Sequence, residues 1–428
     1  MVVLLGFALR VAYSLYRRSI PLGGDPYFYF YQGKAIARGQ GFIHPYTLLT
    51  QGRIEQAADH PPLFSLFLAL LNKVGVTSLT GQLLANCVIG SVTVVLVMVL
   101  TCRYASASTA LLAGSVAAVY PNVAIFDGLL LTETWSMMFM VAAVLALTMF
   151  LEVPSAKLAA STGALFGLGG LVRAEYLSAV ALIGVYLLVM GQRSRMLKQA
   201  LRHSLVLGVA AGVIVAPWVL YNQSRFERPV AMSIGFEYIL PLTNCEQVYF
   251  GEAVGYWFLD CIAPASERAA AVNGDESIIA REAAKDGIAY IKAHKARALQ
   301  MPFFRVGRLL GLYQPFQQAR LDTGIEGRER PIEAVGFALW YLLASLSVIG
   351  VVALRKARRL VFPLVLPAAV IVITAAITYG TTRFRACFEP FVCILAAIAV
   401  AHIVGGVRRI LSPPHEQADL DLTAELAL

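Results

Sequence analysis

The apolar residues of this chain fall into near-continuous stretches of about 16–24 residues, each long enough to cross a bilayer core of about 30 Å as a helix. In lipid no water can satisfy backbone N–H and C=O groups, so such stretches must close their hydrogen bonds as helices. The period-two alternation of barrel strands is missing. Only 14% of residues are charged, against about 25% in soluble domains, and mean hydropathy is +0.69. These features exclude a soluble enzyme, a disordered chain, a repeat solenoid and a porin. The expected fold class is an all-α polytopic membrane protein with outer-face juxtamembrane helices and a long outer loop. The net charge of +9 is no sign of nucleic acid, since Lys and Arg collect in the cytoplasmic loops of such proteins.

About ten spans are expected, at 1–16, 79–101, 108–126, 130–151, 158–173, 175–190, 203–221, 334–354, 360–379 and 386–405. Basic loops at Arg193, Arg195, Lys198 and Arg202, at Arg355, Lys356, Arg358 and Arg359, and at Arg408 and Arg409 set the orientation. They place the N-terminus inside a plasma (inner) membrane, and the first run reads as an uncleaved span. Residues 1–221 form an N-terminal transmembrane module that includes a first outer loop, 17–78. A large outer loop follows at 222–333, then C-terminal helices at 334–405 and a cytoplasmic tail at 406–428. The apolar run after Pro61-Pro62 is too short to span and reads as a juxtamembrane or re-entrant outer helix. Arg17 and Arg18 then lie outside, against the charge rule. Within the large loop, Ala280, Ala284, Ile288 and Ile291 recur at helical steps.

Of six cysteines, Cys87, Cys102, Cys387 and Cys393 fall in or beside spans. Cys245 and Cys261 share the large outer loop, where an oxidising compartment permits a disulfide; two unpaired thiols are the alternative. No Cys/His spacing suggests zinc, and no metal or other cofactor is expected.

Ionisable groups in or beside membrane segments are functional candidates, and here they collect at outer helix ends. Asp25, followed by Pro26, reads as a helix start; as a carboxylate near helix-start amides it is equally a base for an acceptor hydroxyl. Tyr29 lies on the same helix. His60, before Pro61-Pro62, is either a surface histidine or part of the site. Glu133 needs a partner, Arg10 or Arg173, or a water-filled cavity. Arg173 and Glu175 form a similar polar pair. Arg385 and Glu389 suit an i, i+4 ion pair, while Arg383 and Arg385 together suit a phosphate, which guanidinium forks bind bidentately. Asn222-Gln223-Ser224 is a formal glycosylation acceptor pattern.

The order Asp25-x-x-x-Tyr29, Ala35-x-Ala37-x-Gly39-x-Gly41-Phe42 and His60-Pro61-Pro62-Leu63 resembles the GT-C superfamily of membrane glycosyltransferases. The similarity is to the protein O-mannosyltransferase and aminoarabinose-transferase type, glycosyltransferase family 39-like. Leu131-Thr132-Glu133, Leu171-Val172-Arg173-Ala174-Glu175, and Thr382-Arg383-Phe384-Arg385 with Glu389-Pro390-Phe391 are similar to that family's later motifs; Ala174 stands where the family has proline. The stretch from Cys245 to Cys261, and Gly311-Leu312-Tyr313-Gln314-Pro315 with Gln317-Gln318, resemble a branch found in actinobacteria. The resemblance implies an enzyme of the cell envelope, hexosyl- or pentosyltransferase, that moves a sugar from a polyprenyl-phosphate donor to a glycan, glycolipid or protein hydroxyl on the extracytoplasmic face. It implies Asp25 as catalytic base and Arg383 and Arg385 on the donor phosphate. Tyr29, His60, Glu133, Arg173 and Glu389 would line the cavity and acceptor side. The rival readings are a transporter or flippase, which needs polar midplane residues and broken helices in paired halves, and a non-catalytic assembly subunit.

Overall fold

The structure is a computed structural model and describes residues 1–263 and 274–411. The tail expected at 412–428 lies outside the described residues. Helix follows helix, and among the described residues the only β-type pairing is an isolated bridge between Ile43 and Gln56.

Helices lie at the ten expected positions: Val2–Arg17, Leu79–Cys102, Ala107–Val119, Glu133–Glu152, Ala156–Gly170, Tyr176–Arg193, Leu197–Gln223, Arg330–Lys356, Phe362–Ile377 and Glu389–Leu411. By length and composition five of them can cross a membrane, or up to six if Ala107–Val119 is counted together with Pro121–Gly128, to which it is bent by 71°. The bend has a chemical cause. Pro121 lacks an N–H and forces Tyr120 out of helical geometry, to ψ 119°. The chain then turns through a 3-10 segment, Ile125–Gly128, before the helix at Glu133 begins.

The basic loops and the polar cluster occupy opposite helix ends. Arg193 closes the helix Tyr176–Arg193 and Lys356 closes Arg330–Lys356. At the other end lie Arg173, Glu175 and Glu329. Arg17, anomalous by the charge rule, sits at this second end. It donates to the Glu329 carboxylate at 2.9 Å and the Gly327 carbonyl at 2.8 Å. Tyr13 donates to the same carboxylate at 2.7 Å. An acid of the large loop thus neutralises the arginine that the charge rule disfavours.

The first loop folds into three short helices, Gly24–Ala37, Pro45–Gln51 and Leu63–Lys73. The last is the expected short apolar helix. It packs so closely on Gly24–Ala37 that a Cβ at Gly33 would sit 2.7 Å from the Leu68 Cβ. In the large loop, Glu276–Ala293 is the expected helix, with Asp275 accepting from the Ser277 and Ile278 amides at its N-cap. Its buried face is Ala280, Ala283, Ala284 and Gly287, while Ile288 is exposed. The expected stripe is rotated because the segment Gly235–Thr243 approaches at Gly287, where only a glycine fits. Cys245 and Cys261 form a disulfide, enclosing the buried Tyr249 and Tyr256. Asn222 is buried and its amide donates to the Ala231 carbonyl at 2.9 Å, so the formal acceptor pattern is not presented for modification.

Among the bundle helices, Arg10 pairs with Asp127 at 2.8 Å with neither side chain exposed. Arg10 also donates to the Ala117 and Ala118 carbonyls. Removing one member leaves the other charge buried alone. Asp127→Ala is therefore expected to cost about 3–5 kcal/mol, read as a lowered thermal midpoint in detergent. Arg10→Met combined with Asp127→Leu should recover most of the loss.

Candidate active site

Asp25 does not cap its helix. The N-cap is Gly23, and no side-chain cap hydrogen bond forms. Asp25 instead lies in the first turn with its carboxylate turned outward to other segments. One oxygen is 2.9 Å from a terminal nitrogen of Arg383, and the other is 3.7 Å from His60 Nε2. Tyr29, one helical turn on, is buried with its ring 4.9 Å from His60 and 5.0 Å from Phe64. Thus the first-loop motifs Asp25, Tyr29 and His60 form one surface.

Two backbone features place them. Gly39 and Gly41 both hold left-handed φ values, 81° and 78°, which a side chain would resist. They turn the chain so that Phe42 packs on Trp218 with ring centroids 4.8 Å apart. The helix Leu63–Lys73 is then tied to the next polar segment by the Leu63 amide donating to the Leu171 carbonyl at 2.9 Å. That bond brings the His60-Pro61-Pro62 turn beside Arg173.

Arg383 is the hub. Besides Asp25 it meets Glu133 at 2.5 Å and Glu326 at 3.1 Å. Arg173 meets Glu133 at 3.0 Å and Glu175 at 2.6 Å, and lies over the Phe384 ring at 5.2 Å. Glu133 is fully buried, whereas about a third of the Asp25 side chain is exposed (34%). The sequence alternatives for Glu133 are thereby settled in favour of Arg173, with Arg383 added; Arg10 is engaged with Asp127.

Arg385 does not join the hub. It is buried, pairs with Glu389 at 3.1 Å, and stacks over Trp340 at 4.4 Å. Glu389 also accepts from Asn122 at 3.3 Å. Arg383 and Arg385 are two residues apart on a 3-10 turn, Thr382–Cys387, which sends their side chains in different directions. The second guanidinium near Asp25 is Arg173.

Glu326 escaped the sequence reading. It sits in the charged run Glu326-Gly327-Arg328-Glu329-Arg330, which reads as a solvated loop face. The available signal was its position just before an apolar span. Arg328 from the same run is buried between Glu333 at 3.1 Å and Asp322 at 3.9 Å.

The carboxyls around Arg383 are driven apart electrostatically. Burial alone would raise Asp25, but the Arg383 guanidinium, with His60 beside it, holds it below the ordinary carboxylate range. Burial pushes Glu326 up, against the pull of Arg383. Asp25 is thus kept ionised, and Glu326 is the readier of the two to hold a proton. Among the described residues the group with metal-ligating geometry is His44, Asp59 and Glu276, not Asp25 and its partners.

Residues 59–221 match the family described as dolichyl-phosphate-mannose-protein mannosyltransferase. Over 99% of its length the chain superposes on the archaeal oligosaccharyltransferase AglB from Archaeoglobus fulgidus, solved with an inhibitory peptide and a dolichol-phosphate. The TM-score is 0.52 and the identity 14%. The same enzyme tethered to an acceptor peptide gives a TM-score of 0.54 at 14% identity, with 97% of this chain and 51% of that one covered. The chain shares the fold of AglB. It spans about half of AglB, 54% of that chain. ArnT from Cupriavidus metallidurans bound to undecaprenyl phosphate aligns over 95% of this chain and 81% of that chain, at 14% identity and a TM-score of 0.42. No curated protein matches the chain in sequence.

The lowered Asp25 has a consequence for stability. Because its folded value lies below its unfolded one, the Asp25–Arg383 contact contributes fully above about pH 4 and is lost as pH falls through the folded value. Thermal midpoints of wild type and Asp25→Asn should differ most near pH 7, and the difference should shrink as pH falls below about 4. A difference that does not change with pH would contradict this.

Proposed function

We propose that this chain is a membrane glycosyltransferase that moves a sugar from a polyprenyl-phosphate donor to an acceptor hydroxyl on the extracytoplasmic face. The observation that carries the reading is the contact of Asp25 with Arg383, with His60, Glu133 and Arg173 around it, at the helix end away from the basic loops. One ionised carboxylate faces two guanidiniums there, at the mouth of a helical bundle.

The chemistry follows from those groups. The acceptor hydroxyl approaches Asp25, which takes its proton as the acceptor oxygen bonds to the anomeric carbon. The bond from that carbon to the donor phosphate breaks on the opposite side, and its electron pair leaves with the polyprenyl phosphate. Arg383, supported by Arg173, stabilises the departing anion. Arg383 is shared among three carboxylates, so an arriving phosphate competes with them and loosens Asp25 toward the acceptor. His60, at 3.7 Å, orients Asp25.

A path for the lipid supports the same reading. An apolar groove of about 430 Å³ runs along the helices Arg330–Lys356, Phe362–Ile377 and Glu389–Leu411, lined by Leu312, Trp340, Val348, Val372 and Phe388. Phe388 of its lining directly follows the turn Thr382–Cys387 that carries Arg383, and the lining is of the apolar kind a prenyl chain requires. The dolichol-phosphate carried by the AglB structure is of the same chemical class. Transport is the weaker reading: it asks for broken helices at corresponding places in two halves, and one bent pair, at Pro121, is found among the described residues.

In purified protein given a polyprenyl-phosphate hexose, Asp25→Asn should lower transfer by about 10²–10⁴-fold with an unchanged elution profile in detergent. Arg383→Lys should lower kcat more than it raises the donor KM. Asp25→Asn at wild-type rate would remove Asp25 from the mechanism. Concentrative uptake into proteoliposomes without transfer would favour transport.

A further inference from the structure

We propose that His44, Asp59 and Glu276 form a binding site for a divalent first-row ion of the zinc type, joining the first outer loop to the large one. One ligand atom from each residue lies within 4.8 Å of the other two. In addition, His44 Nδ1, Asp59 Oδ2 and Glu276 Oε2 are all buried without a hydrogen-bond partner. A buried polar atom without a partner is costly, and three that converge from distant parts of the chain ask for a common one.

The backbone around them is already fixed. His44 precedes the helix Pro45–Gln51, and its amide donates to the Glu55 carbonyl at 2.8 Å. The Ala57 amide donates to the Phe42 carbonyl at 3.0 Å, so His44 and Asp59 lie on two strapped arms of one loop. Glu276 opens the helix Glu276–Ala293. The Ile234 amide donates to the Ala58 carbonyl at 2.9 Å, and the Glu227 amide to Asp275 at 2.6 Å, anchoring the large loop against the first.

Among the described residues no side-chain cation donates to the two acids. The N–H groups of Arg225 are spent on the Phe42 and Ala57 carbonyls, on Gln56 and on Asn222. A bound dication would remove the repulsion between the facing Asp59 and Glu276 carboxyl groups. An imidazole with two carboxylates is a zinc-type donor set, leaving a fourth position for water. A tetrahedral ion at about 2.1 Å from each ligand needs ligand atoms about 3.4 Å apart, which small side-chain rotations supply.

The site would act as a staple and not as the reacting centre. The Phe28 ring lies between the two, 5.9 Å from His44 and 5.1 Å from His60. A staple there would hold the surface on which Asp25 and His60 stand. Binding does not rest on the transfer reading and is measured without it.

The test uses the full chain in detergent, stripped with a chelator and titrated with Co²⁺, then with Zn²⁺. One saturable equivalent with the visible absorption of tetrahedral Co²⁺, displaced by Zn²⁺, is expected, and His44→Ala and Glu276→Gln should each weaken it by more than about tenfold. No saturable binding by wild type overturns the proposal, as does wild-type affinity in both variants. Should the variants fail to fold, X-ray absorption of the zinc-loaded wild type decides: one imidazole with oxygen donors supports the site, and a sulfur-containing or multi-imidazole shell overturns it.

Discussion

The Arg383 guanidinium holds the polar end of this molecule together. Glu133 is fully buried beside it, Asp25 reaches it from the first loop, and Glu326 reaches it from the large loop. A carboxylate out of water needs a nearby cation, and one planar group with donors in several directions serves three at once. The first loop, the fourth long apolar helix and the segment before Arg330 are therefore drawn to a single point. The most exposed carboxylate of the set is Asp25, the one that the proposed transfer needs an acceptor to reach.

The outer loops are built by arginines that donate to backbone carbonyls. Arg225 binds Phe42 and Ala57, Arg305 binds Thr243 at 2.9 Å, and Arg308 binds Val254 at 2.5 Å, with the Gln317 side-chain oxygen also accepting from Arg308 at 2.6 Å. They work beside two small apolar clusters, Ala58 with Phe226, Val230, Ile234 and Ala280, and Val248 with Tyr249, Val254 and Met301. The stretch Gly311-Leu312-Tyr313-Gln314-Pro315 has a structural reason in this setting. Gly311 adopts φ 71° and Gln314 φ 47°, and the turn they make presents Gln317 and Gln318 to the buried Arg308.

Much of this was legible in the residues. Apolar run length located the bundle helices, because a helix in lipid has to close its own hydrogen bonds. Asp25, Tyr29, His60, Glu133 and Arg173 were singled out and do meet. Arg385 was paired with Arg383 on sequence proximity, but a 3-10 turn rotates successive side chains by about 120°, so the two diverge. Glu326 and Arg328 were passed over because a mixed charge run looks like a solvated face until the loop folds back. Asp127 lay at the end of an apolar run with its partner Arg10 in a separate helix, and no local spacing joins them.

Run length, charge asymmetry between loops and the spacing of polar residues are local properties, and from them the helices and the separation of basic loops from the polar helix ends follow. Which charges touch is a property of distance in space. Asp25, Glu133, Glu326 and Arg383 are spread across most of the chain, as are His44, Asp59 and Glu276. Their meeting depends on how two outer loops fold over the bundle, and electrostatic attraction across a few ångströms leaves no periodic mark along a sequence.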